Sequence, residues 1–391
     1  MDPKQAAREA LDKLAPRLLD LSHRIHAHPE LSFQEELAST WLCQELAAAG
    51  FEVERGVCGL PTAFVARAGK GALNVAFVAE YDALPGAGHA CGHNVIAAAA
   101  AGAGLLLAPL AADLDLTVSV IGTPAEEGGG GKILMLEGGA FDGVHAALMV
   151  HPYPFELAET PTLAAQVFEV HYFGKEAHAS AFPELGINAG DALTIAQVAI
   201  GLLRQRLRST DRIHGIVSKG GDASNVIPAH TIGSYMARAR TLEELAEVME
   251  QARRCFEAGA LATGARLEVR AEKPYAEMRQ DPDLTRLYVA NAAVLGREPG
   301  AMTPDLMKRA FSTDMGNVSQ AIPSIHPGIS LECFPDANHQ PEFAAHAASA
   351  AGDRAVLDGA LLLAWTAVDA ATDAGLRRRL LGSASRSRRA R

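Results

Sequence analysis

The chain has 391 residues, 49% of them hydrophobic and 21% charged, with a formal net charge of -11. That length accommodates roughly two or three domains of about 150 residues each, and the balance is that of a globular protein with an ordinary core. The negative charge offers no footprint for nucleic acid, the five widely spaced cysteines suggest no disulfide framework, and the first residues lack a basic-then-apolar leader, so a cytoplasmic protein is expected.

Leu11, Leu14, Leu18, Leu21 and Ile25 recur at three- and four-residue steps and predict an amphipathic helix. A second helix is expected over Glu35–Ala49, stopped by Gly50. Short apolar runs then alternate with helical segments: a strand over Leu73–Ala79, an Ala-rich helix, a strand over Leu116–Ile121, a helix near Lys132–Leu136 and a strand over Ala146–Val150. The uncharged stretch Val95–Ala112 has the length of a membrane span, but Ala and Gly dominate it, Pro109 interrupts it and His93-Asn94 opens it. A helix buried against a sheet is the expected outcome, with no membrane contact. Strand-helix alternation predicts an α/β fold with a mostly parallel sheet and helices on both faces. Ligands bind beyond the carboxyl ends of such strands, where Asp82 and Cys91 follow the first run, Glu126 and Glu127 the second, and His151 the third.

Between Thr162 and Lys273 the pattern becomes strand (Ala165–Phe173), helix (Asn188–Leu207), two strands (Ile213–Lys219 and His230–Arg240), helix (Leu242–Ala260) and strand (Leu267–Glu272). This order predicts a two-layer α+β module inserted into the first domain. The expected boundaries are 1–162 with 274–376 for the discontinuous first domain, 163–273 for the insertion and 377–391 for a tail. Arg377, Arg378, Arg379, Arg386, Arg388, Arg389 and Arg391 crowd that tail, which reads as a solvated, unfolded end; a helix cap or an anionic contact is the alternative.

Cys91 and His93 stand two apart where a helix is expected to begin, so both can converge on one ion and the helix amino end favours a thiolate. Taken alone, a buried cysteine is the plainer reading. Glu126 and Glu127 lie after a strand and before Gly128–Gly131; adjacent side chains of an extended segment point opposite ways, so one carboxylate can bind metal while the other faces water. Alone, the pair would read equally well as an acidic turn. The glycine run ending in Lys132 is not a phosphate loop, because Ile133 stands where Ser or Thr would hold magnesium. No Gly-x-Ser-x-Gly elbow occurs. His151 precedes Pro152, and His339 lies in Asn338-His339-Gln340-Pro341. Jointly, a Cys/His/Glu set suits a zinc-type ion, with a neighbouring carboxylate as general base on water.

Ala79-Glu80-Tyr81-Asp82-Ala83-Leu84-Pro85, His89-Ala90-Cys91-Gly92-His93-Asn94, Thr123-Pro124-Ala125-Glu126-Glu127-Gly128-Gly129-Gly130, His151-Pro152, Gly174-Lys175-Glu176-Ala177-His178-Ala179-Ser180, Ser224-Asn225-Val226-Ile227-Pro228 and Ser312-Thr313-Asp314-Met315-Gly316-Asn317-Val318-Ser319 follow one another along the chain. Together they resemble the amidohydrolase/aminoacylase branch of peptidase family M20, nearest its aminoacylase-like dipeptidases, from about Leu21 to Phe343. The resemblance implies metal ligands Cys91, His93, Glu127, His151 and His339, with Glu126 as general base and Asp82 orienting a ligand. It implies that His178 polarises the scissile carbonyl, often from a partner subunit, and that Asn225 and Arg238 hold the substrate carboxylate. One or two divalent ions per subunit are implied, zinc first and manganese or cobalt otherwise, in a homodimer formed through the inserted lid domain. The implied substrates are N-acyl or aminoacyl amino acids and small dipeptides; the alternative is an inactive relative that serves as a binding or scaffold protein. Two positions depart from many relatives, which carry Asp where this chain has Glu80 and Asn94.

Overall fold

The computed structural model describes residues 2–387. The chain divides into two units: one runs to Pro161, resumes over Met278–Arg309 and again from Asp314, and the other spans Thr162–Glu277 with Ala310–Thr313.

The first unit opens with α1 (Pro3–Ala27), where Asp2 accepts from the Lys4 amide as cap and Leu11, Leu18, Leu21 and Ile25 face the core. Then follow α2 (Glu36–Ala48), β1 (Glu52–Arg55), β2 (Phe64–Ala68), β3 (Leu73–Glu80), α3 (His93–Leu107), β4 (Leu116–Thr123), α4 (Gly131–Glu137), β5 (Ala146–Leu148) and β6 (His151–Tyr153). Every residue of β3 is buried, as expected of a strand covered on both faces. Leu73, Val75, Phe77 and Ala79 pack in one apolar cluster with α1, α2 and α3, whereas Ala76 and Val78 pack in another with Met135 of α4. Alternation along one strand therefore feeds two layers of helices.

The second unit contains β7 (Ala164–Phe173), α5 (Ala189–Leu203), β8 (Arg212–Lys219), β9 (His230–Ala239), α6 (Leu242–Thr263) and β10 (Arg266–Ala271). Its sheet has the order β10-β7-β9-β8, antiparallel throughout. Both helices cover one face, around Phe168, Leu193, Tyr235, Val248 and Phe256. Asn188 caps α5 by accepting from the Gly190 and Asp191 amides, and Thr241 caps α6 at the Glu244 amide. The sequence reading missed the return of Ala310–Thr313 to this unit, where the Leu163 amide donates to the Phe311 carbonyl at 2.8 Å and Ser312 Oγ to the Leu163 carbonyl at 2.8 Å. So short a segment carries no periodic signal.

The first unit then gains α7 (Pro282–Val294), α8 (Pro304–Met307), α9 (Met315–Ala321), β11 (Ser324–Ile325), β12 (Gly328–Ser330), α10 (Pro341–Ala347), α11 (Ala350–Thr372) and α12 (Ala374–Ser387). Its main sheet has the order β1-β2-β4-β3-β5-β11, parallel from β4 to β11 and antiparallel at β1-β2-β4. The edge strand β1 escaped the sequence reading because its four residues, Glu52–Arg55, are polar and mostly exposed. Beside the main sheet, β6 pairs with β12 in parallel. By length and hydropathy alone His93–Leu110 and Ala350–Thr372 could cross a membrane, but both are largely buried within this unit. A Cβ on Gly102 would lie 2.8 Å from Ala360 Cβ and 2.9 Å from Leu18 Cδ1, so the small residues of α3 let α1 and α11 close on it.

The tail departs from expectation. It forms α12 through Ser387, burying Leu376 and Leu380. Arg377 donates to the Leu114 carbonyl at 3.2 Å, and Arg379 grips Asp281 through two nitrogens at 2.7 and 2.8 Å. The apolar stripe between the arginines outweighs their charge, and their partners lie on this unit's own loops and helices. Arg388, Arg389 and Arg391 lie outside the described residues.

Candidate metal centre

The site lies in the first unit, at the carboxyl ends of β3 and β4 and the start of β6. Gly92 supplies the sharp turn before α3: its φ is 79°, and a Cβ there would lie 2.8 Å from Pro152 Cγ. This close approach sets Cys91 Sγ 3.5 Å from His151 Nε2. His151 donates from Nδ1 to the Pro152 carbonyl at 2.8 Å, which fixes the proton there and leaves Nε2 its lone pair. His93 is held likewise, Nδ1 lying 2.8 Å from the Asp82 carbonyl and 3.1 Å from Asp82 Oδ1. Its Nε2 lies 3.9 Å from Glu127 Oε1, and His339 Nε2 approaches the same oxygen at 3.5 Å.

His339 comes from the far end of the chain. Its backbone adopts a φ of 71° and its amide donates to the Ala90 carbonyl at 2.8 Å, so two remote loops are laced together beside Cys91. Asn338 assists by donating to the Pro152 carbonyl at 3.2 Å. On the other wall, Asp82 Oδ2 accepts from the Glu127 amide at 2.9 Å and from Ser32 Oγ at 3.0 Å, while Ala125, with a φ of 59°, donates its amide to Glu35 Oε1 at 2.9 Å. The donor atoms of Cys91, His93 and His151 lie within 4.8 Å of one another, as do those of Cys91, Glu127 and His339, and those of His93, Glu126 and Glu127. All five residues expected as ligands therefore converge, with Glu126 among them.

The donor set fits a divalent ion. Among the described residues His93 Nε2 and Glu127 Oε1 are buried without a hydrogen-bond partner, a costly state that an ion would relieve. Burial, with the charge of Glu127, pushes the Cys91 thiol well above its ordinary range. Burial beside Glu80, Glu127 and Asp314 likewise raises the Glu126 carboxyl well up. Burial, and the nearness of His93, drives His151 down to about 3, so it stands as a neutral imidazole, the form that binds metal. For Asp82 burial acts upward, but the hydrogen bond and charge of His93 prevail and hold it down to about 2.

Neither departure removes a ligand. Asn94 turns toward α1 and α10, donating to Ser22 Oγ and to the Ala347 carbonyl at 3.0 Å each. Glu80, buried, places Oε2 3.4 Å from His93 Nε2 and Oε1 2.5 Å from Lys132 Nζ; Lys132 also reaches Asp314 Oδ1 at 2.7 Å. Sequence reasoning gave no site role to Lys132, Asp314 or Asn338. A lysine after a glycine run reads as exposed, and only the nearness of Glu80 to Asp82 hinted otherwise.

The remaining expected residues belong to the second unit. His178 bridges Val226, and the Ala179 amide donates to the Asn225 carbonyl at 2.9 Å, so His178 and Asn225 share one exposed loop pair. Arg238 sits near the opposite end of β9, roughly 26 Å along the strand from its first residue by the usual rise, and donates to Ser312 Oγ at 3.1 Å. Within one chain it does not join that pair.

The sequence model described as peptidase family M20/M25/M40 matches residues 76–358. The chain is 40% identical to the Xaa-Arg dipeptidase of Mus musculus over 94% of its own length and 88% of the relative's. It is 33% identical to a p-aminobenzoyl-glutamate hydrolase component of Escherichia coli (strain K12), over 68% of this chain and 60% of that one. Among solved structures it resembles a dinuclear metal-binding peptidase from the M20 family of Bacillus subtilis, with a TM-score of 0.64 and 24% identity over 90% of this chain and 99% of that one.

Proposed function

Since the chain belongs to peptidase family M20/M25/M40 and is a metal-dependent amide hydrolase, we propose that Cys91, His93, Glu127, His151 and His339 hold its metal and that Glu126 is its general base. The observation that carries this reading is the convergence of five donors from four chain segments around one more carboxylate. A bound divalent ion supplies a Lewis acid for the scissile carbonyl and makes water more acidic. Glu126 takes the proton from water and delivers it to the leaving nitrogen. Asp82 holds His93 and the Glu127 amide in place throughout. His178 donates to the carbonyl oxygen as charge develops there, and Asn225 binds the substrate carboxylate. Arg238 has the same assignment, and because it stands apart from Asn225 along β9 the two meet one carboxylate only when one of them comes from a second copy of this chain.

The thiolate donor favours zinc, with manganese or cobalt as workable replacements. Two donor triads share Cys91, which supports a pair of neighbouring ions. Acyl amino acids and small dipeptides are the proposed substrates, dipeptides with a C-terminal arginine foremost, by similarity to the Xaa-Arg dipeptidases. Five free cysteines support a cytoplasmic setting. β8 is the edge strand of its sheet and exposes Ile216 and Val217, which suits it to pair with a second copy of this chain.

Replacing Glu126 by Gln is expected to leave metal content unchanged and to lower kcat by about 100- to 10,000-fold across a panel of acyl amino acids and dipeptides. Wild-type turnover by that variant would refute the base assignment. Sedimentation should show a dimer that Ile216→Asp converts to monomer; a monomeric wild type would remove the dimer.

A further inference from the structure

Around Glu126 lies a group of carboxylates, two of which, Glu80 and Asp314, the reaction scheme leaves unused. Oxygens of Glu80, Glu126 and Asp314 lie within 4.8 Å of one another, and all three residues are buried. Three carboxylates so close and so dry would demand a cation. One is already there. Lys132 has no exposed surface; its Nζ lies 2.5 Å from Glu80 Oε1 and 2.7 Å from Asp314 Oδ1, and its amide donates to Asp314 Oδ2 at 2.8 Å. Asp314 thus grips the lysine at both ends, and Glu80 carries the link onward to within 3.4 Å of His93 Nε2.

We propose that the Lys132 ammonium is a resident cation of the site: it fills the Glu80–Glu126–Asp314 cluster, keeps a further divalent ion out of it, and holds Glu80 against His93. Resting on the metal-site reading above, this makes Lys132 a positioning residue. Its fixed charge matters because a mobile ion among these oxygens would compete with water for the Glu126 carboxylate. Lysine suits the task, since its charge is compact and carried on a stem long enough to reach from α4.

The test uses the full chain, stripped of metal by chelator, titrated with Mn²⁺ and analysed for bound metal after gel filtration. Lys132→Ala opens both charge and room and is expected to bind one more Mn²⁺ per chain than wild type. Adding Asp314→Asn to that variant should return the count to the wild-type value. Equal counts in Lys132→Ala and wild type would overturn the proposal, whatever the fate of Glu126→Gln. Lys132→Met fills the space without charge, so its Mn²⁺ count should match wild type while kcat falls at least tenfold and KM changes less than threefold. Should Lys132→Ala fail to fold, wild-type kcat in Lys132→Met would overturn the proposal by itself.

Discussion

Asp82 carries several duties on one carboxylate. It receives the Glu127 amide, the Ser32 hydroxyl and the His93 ring, and so joins the loop after β3 to the loop after β4. An amide side chain of the same size cannot accept at all three positions with full negative charge. Asp82→Asn is therefore expected to weaken metal binding by about 10- to 100-fold, measured by competition with a chromogenic chelator. Unchanged affinity would show that His93 needs no such anchor. At this scale the sequence was legible wherever residues stood in a dense local motif, as Cys91 and His93 do. Lys132 and Asp314 were not, because their meaning is a single contact between positions far apart in the chain.

Among the elements, α12 is the informative surprise. Its arginines suggested a solvated end, yet Leu376 and Leu380 face inward and Arg379 pairs with Asp281, the residue that caps α7. Leu380→Ala should accordingly cost about 2–5 kcal/mol of stability in a denaturant titration. A loss below about 0.5 kcal/mol would return the tail to the unfolded reading. The other elements were legible in proportion to their length. Periodic helices and the buried strands β3 and β4 announced themselves, as did the β-α-β-β-α-β order of the second unit. Two-residue β11, polar β1 and the short β2 did not, since pairing with a neighbour rather than their own pattern makes them strands.

The whole molecule stores acid sensitivity in histidines kept neutral by burial. His89 is a clear case: burial, and then the nearness of His93 and His26, lower it to about 3. In the unfolded chain it takes up a proton below about pH 6.5, whereas in the folded chain it stays neutral down to about pH 3. Its contribution to stability is therefore lost as pH falls through that window, by about 1.4 kcal/mol per pH unit. Denaturant titrations of metal-free protein should show wild type losing stability more steeply than His89→Gln between about pH 6 and pH 4. Parallel curves would mean that His89 titrates normally. The second unit spans Thr162–Glu277, where the strand and helix order changes, whereas the return of Ala310–Thr313 carries no such change.

Metal binding by Cys91, His93, Glu127, His151 and His339 is read out by X-ray absorption at the zinc edge, on protein reloaded with zinc. A sulfur neighbour at about 2.3 Å with nitrogen and oxygen neighbours at about 2.0–2.2 Å is expected, the sulfur vanishing in Cys91→Ser. A zinc spectrum with no sulfur neighbour in the wild-type protein would contradict the account.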